Sequence, residues 1–264
     1  MNILETICVN KRLEVEQQKQ ATSLVVLQRQ IAEQKRAKLS FKAALQQSAT
    51  GIIAEFKRQS PSKGLIHPGA DVAEIVSGYE NVGAAAISVL TDNQFFGGSF
   101  DDFQVARRVI SKIPLLRKDF IVDEYQIYQS KALGADVILL IAACLTPDEV
   151  ARFSTLAHEL DLEVLLEIHN ADELAYIRPT IDVVGINNRD LKTFTTDIRH
   201  TIELANQLPD GFVRISESGL STPETVLQLR QAGFQGFLMG ETFMKTDNPA
   251  QTLRAFNSSL RLLE

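Results

Sequence analysis

The segment GIIAEFKRQSPSKG, residues 51–64, joins an apolar run to two opposite charges and a polar turn. Alternate side chains of a strand share a face, so the sequence predicts that Glu55 and Lys57 project together from a strand end, above Ile53. The turn that follows offers hydroxyls, backbone amides and a lysine to an anionic ligand. A strand that leaves the core through a solvated loop would show the same single pair. The functional interpretation therefore depends on whether the pattern recurs.

Short aliphatic runs do recur along the chain, about 20 to 33 residues apart, and each leads into a polar turn and a helix-like segment. Eight such units predict a closed (β/α)8 TIM barrel of the α/β class. A doubly wound open sheet is the alternative, but it leaves unexplained why charged residues end so many strands. The predicted strands are Ile52–Phe56, Ala85–Leu90, Ile113–Leu116, Val137–Ile141, Val164–Ile168, Val183–Ile186, Phe212–Ile215 and Gly236–Met239.

Helix signals fit this alternation. Asp71 predicts the start of a helix that runs to Asn81, and Thr146 and Thr222 each precede a proline and acidic residues, as at a helix start. Glycines stand where the helices should end, just before the next strand, at Gly83, Gly134 and Gly233.

The first 47 residues have a different texture. They are rich in Gln, Lys, Ala and Glu, and between Ile3 and Gln47 they contain no Gly or Pro. This composition predicts one or two amphipathic helices laid on something larger. No linker or low-complexity stretch divides the chain, so residues 1–264 are predicted to form a single barrel domain with residues 1–47 as its helical extension.

Composition excludes several classes of function. The net charge of −6 and a pI near 5.4 argue against nucleic acid or an anionic membrane as a partner, since both need a broad basic surface. No signal peptide or membrane span is apparent, so a cytoplasmic location is expected. Cys8 and Cys144 have no metal-binding spacing and are interpreted as reduced thiols. The four histidines are scattered, and no metal site is predicted.

Ionisable or amide side chains end five of the predicted strands. The carboxyl ends of all strands in a parallel barrel open on one face, so these groups are expected to converge within reach of one small molecule. For each residue alone, a solvated loop charge or a structural ion pair would be an adequate explanation. Five strands that change from aliphatic to polar at the same end are hard to explain in that way. The residues are Glu55, Lys57, Lys118, Glu167, Asn187, Arg189 and Glu217.

A phosphate site has its own signature. Ser218-Gly219 follows the seventh strand, and Gly240-Glu241 follows the eighth and opens a short segment that is predicted to be a helix. Glycines there permit close approach of backbone amides to a dianion, and Ser60 can contribute from the first loop. Phe95, Phe96 and Phe120 lie on the same side of the strands, which favours an aromatic ligand over ordinary core filling.

Together these motifs resemble those of the indole-3-glycerol-phosphate synthase family over nearly the whole chain. The resemblance implies a (β/α)8 barrel with an extra N-terminal helix over its active face, and neither metal nor organic cofactor. It also implies a carbon–carbon lyase of tryptophan biosynthesis, which converts 1-(2-carboxyphenylamino)-1-deoxyribulose 5-phosphate into indole-3-glycerol phosphate with loss of carbon dioxide and water. The motifs are IIAEFKRQSPSKG, AAISVLTD, FFGGSF, LLRKDF, LLEIH, GINNRDL, SESG and GFLMGE.

The resemblance also implies roles for single residues. Lys118 matches the general acid at the ketose carbonyl, Lys57 the lysine that contacts the anthranilate carboxylate and serves in dehydration, and Glu167 the general base. The division of the later proton transfers among these residues stays open. Glu55, Asn187 and Glu217 match residues that orient the lysines and substrate, and Arg189 matches a nearby cation. The implied phosphate and substrate contacts are Ser60, Ser218, Gly219, Gly240, Glu241, Phe96, Phe120, Leu139 and Leu238.

Two positions depart from the family pattern. Some members carry Ser where this chain has Glu241, and a carboxylate there would repel a phosphate, so only its backbone amide is expected to serve. Gln59 stands where a basic residue often occurs, which leaves the attraction of phosphate to other groups.

Rival interpretations remain open at this stage. They are a sugar-phosphate lyase that uses Lys57 or Lys118 as a Schiff-base nucleophile, the sister barrel phosphoribosylanthranilate isomerase, and a barrel that binds phosphate ligands without catalysis. A monomer is expected, with association with other tryptophan-pathway enzymes as a further expectation.

Overall fold

Eight parallel strands close into a barrel in the computed structural model of the chain, which describes residues 3–189 and 195–263. Each strand pairs with its sequence neighbours, and the first pairs with the last. The end of the GINNRDL motif, from Asp190 onward, lies outside the described residues. The strands are β1 Ile52–Phe56, β2 Ala86–Leu90, β3 Leu115–Lys118, β4 Val137–Ile141, β5 Glu163–Ile168, β6 Val183–Asn187, β7 Val213–Glu217 and β8 Gly236–Met239.

The predicted barrel is therefore confirmed, with small shifts in strand bounds. β3, β6 and β7 extend beyond the apolar runs that predicted them, and they end on Lys118, Asn187 and Glu217. The polar side chains at these strand ends bond to one another: Lys118 pairs with Glu167 and Glu217, and Asn187 donates to Glu167. These site residues thus belong to the rigid strands and not to loops.

Helices cover the outside of the barrel and begin and end largely where the capping signals predict. Asp71, Thr146 and Thr222 each accept a hydrogen bond from the first turn of their helix. Gly83, Gly134 and Gly233 have φ of +89°, +87° and +89°, the left-handed conformation that terminates helices. The barrel helices are α4 Val72–Asn81, α5 Phe100–Val109, α6 Glu124–Leu133, α7 Pro147–Glu159, α8 Ile198–Ala205, α9 Pro223–Gln231, α10 Glu241–Met244 and α11 Pro249–Leu263.

The unit after β5 is an exception to the predicted alternation. A 3-10 helix, Ala171–Tyr176, replaces the α-helix, and Asn170 caps it by accepting from two backbone amides. A second 3-10 helix, Ala142–Cys144, lies between β4 and α7. Both short helices lie at the end of the barrel where the polar residues converge.

The N-terminal extension contains three helices, α1 Ile3–Ala21, α2 Leu24–Glu33 and α3 Phe41–Gln47, not the one or two predicted. Residues 34–40 are not helical, because their side chains bond to the barrel: Gln34 donates to two carbonyls at the end of α6, and Arg36 pairs with Asp136. Ser40 then caps α3.

The extension contacts both ends of the barrel. Phe41 and Leu45 of α3 pack with Val183 and Val213 at the starts of β6 and β7, so α3 closes the amino-terminal end. At the opposite end, α1 contributes Leu4 and Ile7 to the same inner apolar cluster. The implied helix over the active face is α1.

A buried ion network fixes α1 in place. The ammonium group of Lys11 lies 2.9 Å from Asp92 and 3.0 Å from Asp119, and only 1% of the side chain is exposed. Burial would lower the pKa of Lys11, but the surrounding carboxylates outweigh it and raise that pKa. Asp119 also accepts from Arg117 at 2.8 Å. α1 is thereby attached to the ends of β2 and β3.

No helix in the described part of the chain is long and apolar enough to span a bilayer.

Candidate active site

A cavity of about 580 Å³ opens at the carboxyl ends of the strands, partly covered by α1. The side chains predicted for the site line it, with the exception of Phe95, together with backbone at the glycines. The set comprises Glu55, Lys57, Ser60, Phe96, Lys118, Phe120, Leu139, Glu167, Asn187, Arg189, Glu217, Ser218, Gly219, Leu238, Gly240 and Glu241. The structure thus brings together residues from β1 to β8, and their chemical roles stay predictions.

Lys118 lies at the centre of the polar groups. Its ammonium nitrogen is 2.9 Å from Oε2 of Glu167 on β5 and 2.8 Å from Oε2 of Glu217 on β7. Both carboxylates are almost completely buried, and 14% of the lysine side chain is exposed. One proton donor therefore faces the cavity, held by two acceptors from different strands.

Burial and charge set the protonation of this group. Burial would lower the pKa of Lys118, but the carboxylates of Glu167, Glu217 and Glu55 outweigh it and raise that pKa. Burial would raise the pKa of Glu167, yet Lys118, His169 and Asn187 together hold it well below its usual range. Glu217 behaves differently: burial raises its pKa to about 7, against the opposing effect of Lys118.

Glu55 and Lys57 form a second ion pair beside the first. The ammonium nitrogen of Lys57 donates to Oε1 of Glu55 at 2.6 Å, and Glu55 is 2% exposed. Glu55 shares the inward face of β1 with Ile53, as strand alternation predicts. Gly240 makes this packing possible, because a Cβ atom there would lie 2.7 Å from Oε1 of Glu55.

Glu167 has two further partners. Nδ2 of Asn187 donates to its Oε1 at 3.0 Å, which agrees with the orienting role implied for that residue. Nε2 of His169 lies 3.2 Å from the same oxygen, an ion-pair distance outside hydrogen-bond geometry.

His169 is one of the four scattered histidines, to which the sequence pattern assigns no role. The structure places its ring beside Glu167. Its other ring nitrogen lies 3.5 Å from Glu173 of the 3-10 helix. Burial would lower the pKa of His169, but the two carboxylates outweigh it and raise the pKa to about 10. The ring is thus a second cation against Glu167. The spacing from 167 to 169, which matches that from 55 to 57, was the available signal.

Apolar side chains line the rest of the cavity and form what we call the apolar wall. The rings of Phe96 and Phe120 pack with centroids 5.8 Å apart, and Leu139 and Leu238 are buried at its base. Phe95 packs against the inner cluster but does not line the cavity. The family resemblance implied a helix over this face, but the sequence did not identify the residues of α1 that complete the wall, which are Ile3, Leu4 and Ile7. The wall suits a flat, apolar ring.

Backbone geometry distinguishes the loop after β7. Ser218 and Gly219 are consecutive residues with φ of +69° and +71°. Positive φ is uncommon for a residue other than glycine, and backbone strain of this kind clusters at active sites and ligand-binding turns. A Cβ atom at Gly219 would lie 2.9 Å from Thr196, so the position has no room for a side chain.

The loop after β8 meets the loop after β1. The carboxylate of Glu241 lies 3.4 Å from the ammonium nitrogen of Lys63, so its charge is turned to a cation of the first loop. The predicted helix of this region is α10, which Gly240 precedes. Arg189 reaches the first loop from the other side, and its Nη1 donates to Ser62 at 2.7 Å.

The side chain of Gln59 points away from these groups. Its Nε2 donates to the carbonyl of Gln94 at 3.4 Å, and the residue does not line the cavity. Among the described residues, no group of His, Cys, Asp or Glu side chains is arranged to hold a metal ion.

Two paired lysines, three buried carboxylates, an apolar wall and a strained serine–glycine turn define a TIM-barrel enzyme with an acid–base site. Residues 4–256 match the sequence model of indole-3-glycerol phosphate synthase. The chain belongs to the indole-3-glycerol phosphate synthase family.

Relatives agree with this membership over at least 90% of their length. An indole-3-glycerol phosphate synthase of Bacteroides thetaiotaomicron is 54% identical over 260 residues, which is 98% of this chain and 99% of the relative. One of Alkaliphilus metalliredigens is 44% identical with the same coverage of both chains. One of Prochlorococcus marinus is 42% identical, and the match covers 98% of this chain and 90% of the relative.

A solved structure shares the fold alone. The tryptophan synthase subunit alpha of Legionella pneumophila superposes with a TM-score of 0.61 at 14% identity, over 84% of this chain and 97% of that chain. At this identity the likeness supports the barrel and carries no argument about function.

Proposed function

We propose that the chain catalyses the formation of indole-3-glycerol phosphate from 1-(2-carboxyphenylamino)-1-deoxyribulose 5-phosphate. The observation that carries this proposal is the position of Lys118, a charged proton donor held between Glu167 and Glu217 at the base of a cavity. The same cavity is lined by the packed rings of Phe96 and Phe120 and by the Ser218-Gly219 turn, which is assigned to phosphate. The substrate has both an aromatic and a phosphate end.

Ring closure is the first step assigned to the site. The ring carbon that bears the carboxylate attacks the ketose carbonyl carbon, a carbon–carbon bond forms, and the carbonyl electron pair moves to oxygen. Lys118 donates a proton to that oxygen as its charge develops, where a positioned donor lowers the barrier most. The raised pKa keeps Lys118 protonated before the step.

Decarboxylation and dehydration follow. Loss of carbon dioxide returns the bonding electrons to the ring and restores its aromatic character. The new hydroxyl then leaves as water with a proton from an acid. A base removes a proton from the adjacent carbon that is bonded to nitrogen, the former C1 of the ribulose, and the double bond of the indole forms. Lys57 is assigned as the acid, or Lys118 once it has regained the proton that it gave in ring closure, and Glu167 is assigned as the base. Glu217, with a pKa of about 7, is a second group able to relay that proton.

The remaining residues position the substrate. We assign the phosphate to the turns at Ser218-Gly219 and Gly240-Glu241, with Ser60 from the first loop. Phe96, Phe120, Leu139 and Leu238 are assigned to the anthranilate ring. Arg189 is assigned as a cation over the site entrance, since it links the loop after β6 to Ser62.

A Schiff-base lyase is the second candidate, and the geometry disfavours it. Imine formation needs a neutral amine, whereas Lys118 is paired with two buried carboxylates and Lys57 with Glu55. The cavity also offers an aromatic wall that a simple sugar phosphate does not use.

One assay tests both candidates. Purified protein is mixed with the synthetic substrate, and the absorbance of the indole ring and the release of carbon dioxide are followed. Equal amounts of the two products are expected, and borohydride added during turnover should leave the protein mass unchanged. Absence of indole product from folded protein would overturn the proposal, and a reduced covalent adduct would support the lyase.

We also propose that the enzyme is cytoplasmic and monomeric, and that it associates with other enzymes of tryptophan biosynthesis. The family membership and the absence of a bilayer-length helix in the described residues support the location. The mass at low micromolar concentration, measured by light scattering, tests the monomer.

A further inference from the structure

The two cysteines of the chain, which are 136 residues apart in sequence, meet at the rim of the barrel. Sγ of Cys8 on α1 lies 2.7 Å from Sγ of Cys144, the last residue of the 3-10 helix after β4. Both are free thiols, and both are partly exposed. Neither has a role in the acid–base chemistry proposed above.

The pair is open to small molecules. Cys8 and Cys144 line a cleft of about 800 Å³ that adjoins the main cavity. The two share Leu4, His169, Asn187 and Arg189 as lining residues. Val9, next to Cys8, is 54% exposed. A small reagent can therefore reach the thiols without unfolding the protein.

The two thiols differ in reactivity. The contact with Cys144 and the charge of Arg12, one turn further along α1, lower the pKa of Cys8. The same contact, together with burial, raises the pKa of Cys144. We assign Cys8 as the attacking thiolate because it lies one turn from the positive charge of Arg12, and Cys144, whose sulfur is 2.7 Å away, is placed to resolve the mixed disulfide that forms on it.

We propose that Cys8 and Cys144 are a redox modification site, at which a small-molecule disulfide converts the two thiols into an internal disulfide. The Cys8 thiolate attacks one sulfur of the reagent, whose S–S bond breaks and releases a thiolate. The sulfur of Cys144, after losing its proton, attacks Cys8 and releases the second thiolate. The protein loses two electrons and two protons, and the reagent becomes two thiols.

The bond would join α1 directly to the barrel. At present α1 is held by the Lys11 network, which contacts the ends of β2 and β3. A link to the end of β4, the strand next to β3, adds a covalent attachment near Leu4 and Ile7 of the cavity wall. The modification thereby fixes one wall of the substrate cavity.

The test titrates full-length protein with oxidised glutathione at a constant concentration of reduced glutathione. Free thiols are counted with a maleimide tag, and intact mass is recorded. We expect loss of both thiols and two hydrogen atoms, with no glutathione retained and no dependence on protein concentration. The amides of α1 should then exchange more slowly.

Cys8→Ser and Cys144→Ser are the matched controls, because each keeps one thiol and cannot close the bond. The concentration of oxidised glutathione that modifies half of the remaining thiol should be at least about tenfold higher than for the wild type. The product should be a stable glutathione adduct. Glutathione retained on the wild type, a disulfide between two molecules, or two free thiols at the highest oxidant concentration would overturn the proposal.

Discussion

Gly185 on β6 leaves the space that the carboxylate of Glu217 enters from β7. A Cβ atom at position 185 would collide with Oε1 of Glu217 and would lie 3.1 Å from Cδ1 of Leu165. Gly185 pairs with Ile215, two residues before Glu217, so the two strands cannot move apart locally. The position of a cavity carboxylate thus depends on the absence of a side chain on the neighbouring strand.

Gly185→Ala should therefore displace Glu217 from Lys118 and lower turnover by at least about tenfold, with overpacking that costs about 1–3 kcal/mol of stability. Gly69→Ala is the control, because a Cβ atom there meets nothing within 4 Å. Steady-state rates and urea unfolding of both variants measure the two effects. A folded Gly185→Ala variant with wild-type turnover would remove the Glu217–Lys118 contact from the mechanism.

Lys118→Met should lower turnover by at least about a hundredfold, the usual effect of a missing general acid, while the barrel stays folded. Methionine keeps the length of the side chain and leaves Glu167 and Glu217 without their shared cation. Lys112→Met, at an exposed position, controls for the loss of a surface charge. Near-normal turnover of well-folded Lys118→Met would exclude this lysine as the acid.

The pH dependence of activity should report Glu217, whose pKa is raised to about 7. If its ionised form takes part in proton relay, kcat/KM rises as pH increases through 7. Glu217→Gln should lack this rise, while any change near pH 6 from the substrate phosphate stays in both proteins. A rise of the same size and midpoint in the Gln variant would assign the titration to another group.

Stability should depend on His169 at higher pH. Its folded-state pKa of about 10 exceeds the ordinary value of 6.5, so the protonated ring stabilises the protein fully below pH 6.5 and ceases to do so as pH rises through 10. The difference in unfolding free energy between the wild type and His169→Gln should shrink by a few kcal/mol across that window. Urea unfolding from pH 6 to 10 measures it, and Glu173→Gln should reduce the slope. A difference that does not change with pH would contradict the ion pair.

Strand alternation accounts for most of what the sequence predicted. The inward position of Glu55 and the convergence of polar strand ends follow from local periodicity and from closure of a parallel barrel, both of which are visible in one sequence. The contribution of α1 is different. Where Lys11 and Ile7 contact the barrel depends on the path of residues 34–40, which is set by side-chain bonds to distant carbonyls and carboxylates. No local pattern records such contacts.

Phosphate binding and chemistry should be separable along the rim. Gly219 has φ of +71° and no space for a side chain, so Gly219→Val should disturb the turn after β7 and raise KM strongly. Lys57 follows β1, which is two strands from β7 in the barrel, and Lys57→Ala should mainly lower kcat, because Lys57 and its partner Glu55 are assigned to the reacting end.

Gly211→Val is the control for backbone strain in that comparison, since Gly211 has φ of +91° but a Cβ atom there meets nothing within 4 Å. It should lower stability and leave KM unchanged. A crystal soaked in sulfate locates the anion directly, and we expect it at Ser218-Gly219 and Gly240. An anion beside Lys118 and Glu167, with the turns after β7 and β8 empty, would reverse the proposed orientation of the substrate.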